Sequence, residues 1–331
     1  MKVLRVMRSI PLTRVALSAI SAVLVIAGCS SQGRVAADAP ATWDPARAEA
    51  VEWTSADPSF SQEFAIEASG MAASGRFLYI PSEKYSRLLV FERDGVNRVG
   101  VVRLDVPLHA ELEGVAVTAD GLLFCDEAHA AVYELAGAGE DVIAAAVGGL
   151  PVEVKKLELE GVSVVGGKIG FEGIETDPET GEVVLLLERD GVAETGCVSK
   201  IYRLRRAGST LIAEGGPVEV SLEDCAWRLT GLTWWNNRLI ALKTQYPGEQ
   251  YRIVSVDLET GATEIVLELT DLLRSLEARG WSNNVEGLAI SPDGALWLVA
   301  DNAVTGVIDD PLPPSIDVRT LLLRIPLRGE D

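Results

Sequence analysis

One hairpin recurs five times along this chain, and that repetition limits what it can fold into. In "NVEGLAISPDGALWLVADN" (284–302) the apolar residues alternate through Leu288, Ile290, Leu296, Leu298 and Ala300, and Asp293-Gly294 sits where a tight hairpin turn belongs. "EASGMAASGRFLYIPSEK", "ELEGVAVTADGLLFCDEA", "GFEGIETDPETGEVVLLLER" and "RLTGLTWWNNRLIALKTQ" follow the same plan. Their anchor glycines are Gly70, Gly114, Gly173, Gly231 and Gly287, spaced 44, 59, 58 and 56 residues apart. A third strand follows each hairpin: "RLLVFER", "AVYEL", "KIYRLRR", "RIVSVDL" and "LLLRIPL". Four repeats add a fourth: "RVGVVRLDV", "VEVKKLEL", "PVEVSL" and "TEIVLEL". Helical periodicity is confined to "DLLRSLEARG" (271–280).

Four antiparallel strands at this period make an all-β chain, a β-propeller built of four-stranded blades. The count favours five blades; six is the alternative if the stretch between Gly114 and Gly173 hides a degenerate one. A β-sandwich would explain hairpins but not a recurring four-strand unit. The fifth repeat lacks its fourth strand. "FSQEFAIE" (60–67) precedes the first repeat unpaired, so an N-terminal strand around Phe60–Ile66 is expected to complete the last blade beside "LLLRIPL" and hide its edge.

The residues before this domain have another job. Lys2, Arg5, Arg8 and Arg14 form a basic head, and Val15 to Ala27 an apolar run too short to span a bilayer comfortably. "IAGCSS" then resembles a bacterial lipoprotein signal, which implies cleavage before Cys29 and lipidation of that residue. The expected organisation is a signal peptide over 1–28, a flexible tether over 29–58 and the propeller over 59–331. The tether is expected because "SSQGRVAADAPATWDPARAEA" has no sustained period. The resemblance implies export and anchoring to the cell envelope: at the outer membrane, facing the periplasm, in a cell that has one, and otherwise on the outer face of the plasma membrane.

Asp and Glu outnumber Lys and Arg by 49 to 29, for a formal charge of −20. Losing residues 1–28 removes four basic residues and no acid, leaving −24. This excludes nucleic acid as a natural partner and favours cations. In an oxidising compartment Cys197 and Cys225, in neighbouring loop-like segments, are the preferred disulfide; Cys125, mid-strand, reads as a buried small hydrophobe.

In a propeller the first strand of each blade lines the axis, and its start shares a face with the end of the second strand. Before the anchor glycines stand Ser69, Glu113, Glu172, Thr230 and Glu286; Glu83, Glu127, Glu188 and Asp301 end second strands, with Lys243 in the fourth repeat. Simple folding of the fifth repeat sets Glu286 opposite Asp301, and offsets elsewhere predict bulges. Seven carboxylates at one mouth repel one another, and a hard divalent cation, calcium, would relieve the cost. With only His109 and His129 in the chain, a histidine-rich transition-metal site is not expected. The competing arrangement is a solvated rim whose acids meet Lys84, Arg189 and Lys243.

"ELEGVAVTADGLLFCDE", "GFEGIETDPETGEVVLLLER" and "NVEGLAISPDGALWLVADN" resemble the repeats of the SdiA-regulated propellers and of the domain called esterase-like activity of phytase, over about residues 60–327. The resemblance implies calcium at the acidic face, mapped here onto Glu113, Glu172, Glu286 and their second-strand partners. Ser69 and Thr230 depart from the pattern. Two functions follow as expectations. One is a membrane-tethered, calcium-binding propeller with a small-molecule or protein ligand. The other is a calcium-dependent phosphoesterase, in which Lys84, Arg189 and Lys243 would hold phosphate. There is no Gly-x-Ser-x-Gly elbow and no Ser/His/Asp set to support another hydrolytic chemistry.

Overall fold

The structure is a computed structural model; it describes residues 43–52, 67–83, 85–93, 97–146, 150–163, 170–192, 196–246, 248–301 and 321–329. Within these the strands form four hydrogen-bonded sheets, and the nine-stranded one joins two of the five hairpin repeats, which are the units that follow. The first holds Ala72–Ser74, Phe77–Ser82, Arg87–Glu92 and Asn97–Asp105. The second holds Leu112–Val117, Gly121–Asp126, Ala131–Ala136 and Lys155–Glu160. The third holds Phe171–Thr176, Val183–Val192 and Gly196–Ala207, flanked by Thr210–Ala213 and Val218–Ser221. The fourth holds Trp227–Trp235, Arg238–Gln245, Gln250–Val256 and Thr263–Glu268. The fifth holds Asn284–Ile290, Leu296–Asp301 and Leu321–Ile325, with Glu49–Glu52 as its outer strand. The chain is a β-propeller.

The core explains why so many strands read as unbroken apolar runs. Five clusters lie one at each boundary between successive units. Tyr79, Leu88 and Val90 meet Leu112, Leu122 and Phe124. Leu123 and Val132 meet Phe171 and Leu185, and Val184 and Ile201 meet Leu229 and Val254. Ile240 and Ile253 meet Leu288 and Leu298, and Ala289, Trp297 and Val299 meet Leu78, Ile80 and Leu89. Each sheet therefore buries both faces, so Phe77–Ser82, Gly121–Asp126 and Leu296–Asp301 are buried at every position. A sandwich would wet one face of each sheet and impose alternation. Each large side chain so buried contributes roughly 1.5–3 kcal/mol.

The anchor glycines set how tightly the inner strands close. A Cβ on Gly70 would lie 2.4 Å from the Glu113 carbonyl oxygen, one on Gly114 2.9 Å from the Gly173 Cα, and one on Gly287 2.7 Å from the Gly70 carbonyl carbon. Gly173 lies against Gly231, and Gly231 against Leu288 and the Glu286 carbonyl. The five positions thus form a circuit of close contacts, which a Cβ at Gly70, Gly114 or Gly287 would wedge apart, while one at Gly173 would meet only ordinary van der Waals distances. On the axis they leave a cavity of about 10 Å³, lined by residues from all five inner strands, room for one water at most.

The closing strand differs from expectation. Glu49–Glu52, not the segment around Phe60–Ile66, pairs antiparallel with Leu321–Arg324; residues 60–66 lie outside those described. Trp43 bridges to Leu327, donates its indole N–H to the Gly294 carbonyl at 2.9 Å and is 1% exposed. The expected tether over 29–58 is therefore corrected: the folded unit includes residues 43–52. A four-residue Glu-Ala-Val-Glu strand is too short to show a period, and Trp43 was the available signal.

Two further elements were not expected. The helix Glu140–Ala146 interrupts the second unit. Lys155–Glu160 also pairs in parallel with Thr210–Ala213, joining the second and third units at their outer rims. The expected helix near 271–280 spans Thr270–Glu277 and buries Leu273 and Leu276. Among the described residues no helix is long and apolar enough to cross a membrane.

Candidate functional site: an acidic mouth

The residue before four of the five anchor glycines is set apart by a recurring backbone irregularity. Register shifts fall between Leu112 and Gly114, Phe171 and Gly173, Leu229 and Gly231, and Val285 and Gly287. Glu113, Glu172, Thr230 and Glu286 are the extra residues, left out of the ladder as a bulge requires. The fifth repeat is bulged too, which corrects the simple pairing expected there. Asn284, not Glu286, lies opposite Asp301. Its amide donates to both carboxylates, at 3.1 Å to Glu286 Oε1 and 3.3 Å to Asp301 Oδ2. The two acids are clamped by one neutral donor rather than opposed across the ladder.

Burial and crowding act on the same group of acids. Glu113 is 5% exposed, and Glu188 and Asp301 are also buried. Burial pushes the Glu113 carboxyl well above the usual carboxylate range, and the charges of Glu172, Glu83, Glu286 and Glu127 push it further. Glu172 is raised well above that range by burial, with Glu188, Glu127 and Glu286 adding and Arg228 opposing. Glu286 is raised to about 8 by burial and by Asp301, again against Arg228. All seven acids anticipated from the repeats therefore belong to one electrostatic group. No three acidic, histidine or cysteine side chains among the described residues stand close enough to hold an ion as placed. The mouth is a funnel of oxygen donors, not a closed cage.

Arg228, at the start of the fourth inner strand, was not anticipated. Its guanidinium donates to Glu188 Oε1 at 2.8 Å, Glu286 Oε1 at 3.2 Å and Thr244 Oγ1 at 3.3 Å. The surrounding carboxylates hold its charge more firmly than usual. Two residues on, Thr230 is 2% exposed and its hydroxyl has no hydrogen-bond partner. It lines the axial cavity together with Glu172.

The basic residues expected to serve a ligand have internal partners. Lys243 is 3% exposed, pairs with Glu223 at 2.5 Å and lies over the Trp227 ring, which Arg252 also covers. Arg189 donates to the Cys225 carbonyl. Both have these internal contacts in addition to the ligand role expected of them. Lys84 and Cys29 lie outside the described residues. A disulfide joins Cys197 to Cys225 with Cα atoms 5.2 Å apart, packed on Leu222 and Trp227. Cys125 is a free, fully buried thiol against Gly114. His129 places Nδ1 2.9 Å from the buried Asp126, which also accepts from Tyr133 and from the Glu111 N–H.

The fold has counterparts among solved structures. A glutaminyl cyclase from Myxococcus xanthus matches over 85% of this chain and 97% of its own, with 14% identity and a TM-score of 0.51, which supports a common fold and nothing further. A streptogramin B lyase matches at 10% identity over 84% of this chain and 98% of its own, TM-score 0.42. The PQQ-bound form of an aldose sugar dehydrogenase from Streptomyces coelicolor matches at 10% identity over 85% and 99%, TM-score 0.40. At those scores neither carries an argument. No curated protein sequence matches the chain. The family model described as "Phytase-like: Esterase-like activity of phytase" matches residues 47–304, reaching back to the closing strand and covering most of the sequence, and the protein belongs to that family.

Proposed function

We propose that this is a five-bladed propeller, held at the cell envelope by a lipid on Cys29, whose acidic mouth binds a divalent cation and presents it to a ligand. One observation carries the cation reading. A buried, unpartnered hydroxyl, Thr230, occupies the same bulge position as the buried acid Glu113 and the partly buried acids Glu172 and Glu286. A buried polar atom without a partner costs about 1–3 kcal/mol, and crowded carboxylates add to that. A cation on the axis relieves both. The donors are all oxygen, the choice of a hard ion, and an incomplete funnel completed by water suits calcium's loose geometry of about 6–8 ligands. Bound calcium would supply positive charge where these side chains concentrate negative charge.

Calcium should raise the melting temperature and a chelator should lower it. At a hundredfold excess over its dissociation constant the ion contributes about 2.7 kcal/mol, and magnesium less, because it gives up water reluctantly. Glu113→Gln combined with Glu172→Gln should abolish the response; a response that survives the pair places the ion elsewhere. The phosphoesterase reading rests on the family description, and the internal partners of Lys243 and Arg189 count against it. Release of phosphate from phytate or an aryl phosphate in the presence of calcium would reinstate it.

The anchor rests on the basic head, the short apolar run and Cys29 itself. Cys29→Ser should move the protein from the membrane fraction to the soluble one. Unchanged fractionation would refute lipidation.

A further inference from the structure

We infer that Arg228 is a built-in counter-ion that confines the cation to the Glu113–Glu172 side of the mouth, so that the propeller takes up one divalent ion rather than two. This rests on the cation reading above and adds where the ion sits, how many bind and which residue decides it.

The mouth is not electrostatically uniform. Arg228 reaches from the fourth unit to Glu188 of the third and Glu286 of the fifth, and its Nε donates to Thr244 of its own sheet. The two carboxyl side chains are 8% and 17% exposed and Arg228 itself 22%, so water screens these pairs weakly. A divalent ion arriving between Glu188 and Glu286 would have to sit against a guanidinium already bonded to both. That corner is filled.

The surroundings of Glu113 differ. Glu113, 5% exposed, has no hydrogen bond among the described residues, and the charges acting on its carboxyl are those of Glu172, Glu83, Glu286 and Glu127, all negative. Independently, the Thr230 hydroxyl is buried and unpartnered, and it lines the axial cavity beside Glu172. Glu113, Glu172 and Thr230 share the bulged position before an anchor glycine, so the backbone sets all three at one level of the axis. An ion there gains the Glu113 carboxylate, whose main charged neighbours are all acids, and a hydroxyl oxygen; Arg228 still acts on Glu172 through space, but its hydrogen bonds to carboxylates go to Glu188 and Glu286 and leave Glu172 free to ligate. The fourth repeat, which lacks the acid at this position, supplies the arginine two residues earlier.

The test is calcium titration of the purified protein by calorimetry, with terbium luminescence as a second readout. Wild type should bind one ion. Glu113→Gln or Glu172→Gln should weaken binding by about 100-fold or more, since each removes a charged ligand. Glu188→Gln should keep one ion with less than about a tenfold change. Arg228→Met should bind a second ion between the released Glu188 and Glu286, and Arg228→Lys should not. If Arg228→Met fails to fold without calcium, the contrast between Glu188→Gln and Glu113→Gln still decides. Confinement is overturned if Glu188→Gln loses the ion as fully as Glu113→Gln does, or if folded Arg228→Met still binds one. A wild type that binds no calcium overturns the cation reading itself; one ion with the mutant pattern reversed overturns only the role of Arg228.

Discussion

Glu172 and Glu175 lie three residues apart on one inner strand, and both carboxyls are pushed above their ordinary range, for different reasons. Glu172 is raised by burial and by a crowd of like charges at the mouth. Glu175 is raised to about 8 by burial alone; the Thr176 N–H, at 2.8 Å, and the Thr233 hydroxyl partly offset it, and no acid contributes. A raised carboxyl therefore has two meanings here. Where like charges cause the shift, an added cation can reverse it. Where desolvation alone causes it, there is no crowd of like charges for a cation to relieve. The crowded residue belongs to a candidate binding site, and the solitary one to the packing of the blades.

The largest effect expected from this comparison is on stability against pH. The folded protein holds Glu175 protonated up to about 8, whereas the unfolded chain releases that proton near 4.5. Between those values the native state binds more protons, so stability falls as pH rises through the window and levels off above it. The contribution is at most about 5 kcal/mol. Glu175→Gln, neutral throughout, should flatten this part of the profile and leave the variant more stable than wild type at pH 8. Denaturant melts at pH 5 and pH 8 check it; equal slopes in the two proteins would refute burial as the cause.

A smaller effect separates the two residues directly. Glu175→Gln should leave calcium stabilisation at about 2.7 kcal/mol under the hundredfold excess used above. Glu172→Gln should remove most of it. Equal responses would erase the distinction. The smallest effect concerns Thr230. Thr230→Val removes a buried hydroxyl that has no partner, so it should stabilise the calcium-free protein by about 1 kcal/mol and reduce the gain on adding calcium. Loss of stability in chelator would instead mean that the hydroxyl is satisfied there.

The repeats made much of this legible in the sequence. Glycine followed by an aliphatic residue at a steady interval reports a backbone that must approach its neighbour, and the circuit through Gly70, Gly114, Gly173, Gly231 and Gly287 is that approach. The acid before three of these glycines was equally visible, because a bulge needs a residue outside the ladder and repeats it in register. What escaped notice depends on the partner, not the period. Glu49–Glu52 is a strand only because Leu321–Arg324 offers an open edge. Arg228 becomes a counter-ion only because Glu188 and Glu286 converge on it from other blades. One local clue to it existed: the repeat that exchanges its acid for Thr230 carries a base two residues before. Lys243 and Arg189 show the same dependence on partners. Their positions suggested the rim, but Glu223, Trp227 and the Cys225 carbonyl claim them.

The closing strand also orders events in time. Glu49 leaves the ribosome long before its partner Arg324 is made. Until then the edge of Leu321–Ile325 does not exist, and Trp43 has no Gly294 carbonyl to meet. Joining ends so far apart in sequence is slow. The beginning of the domain must wait, exposed, for its end, so a chain cut short anywhere before Leu321 would leave the ring open with its first strand unspent.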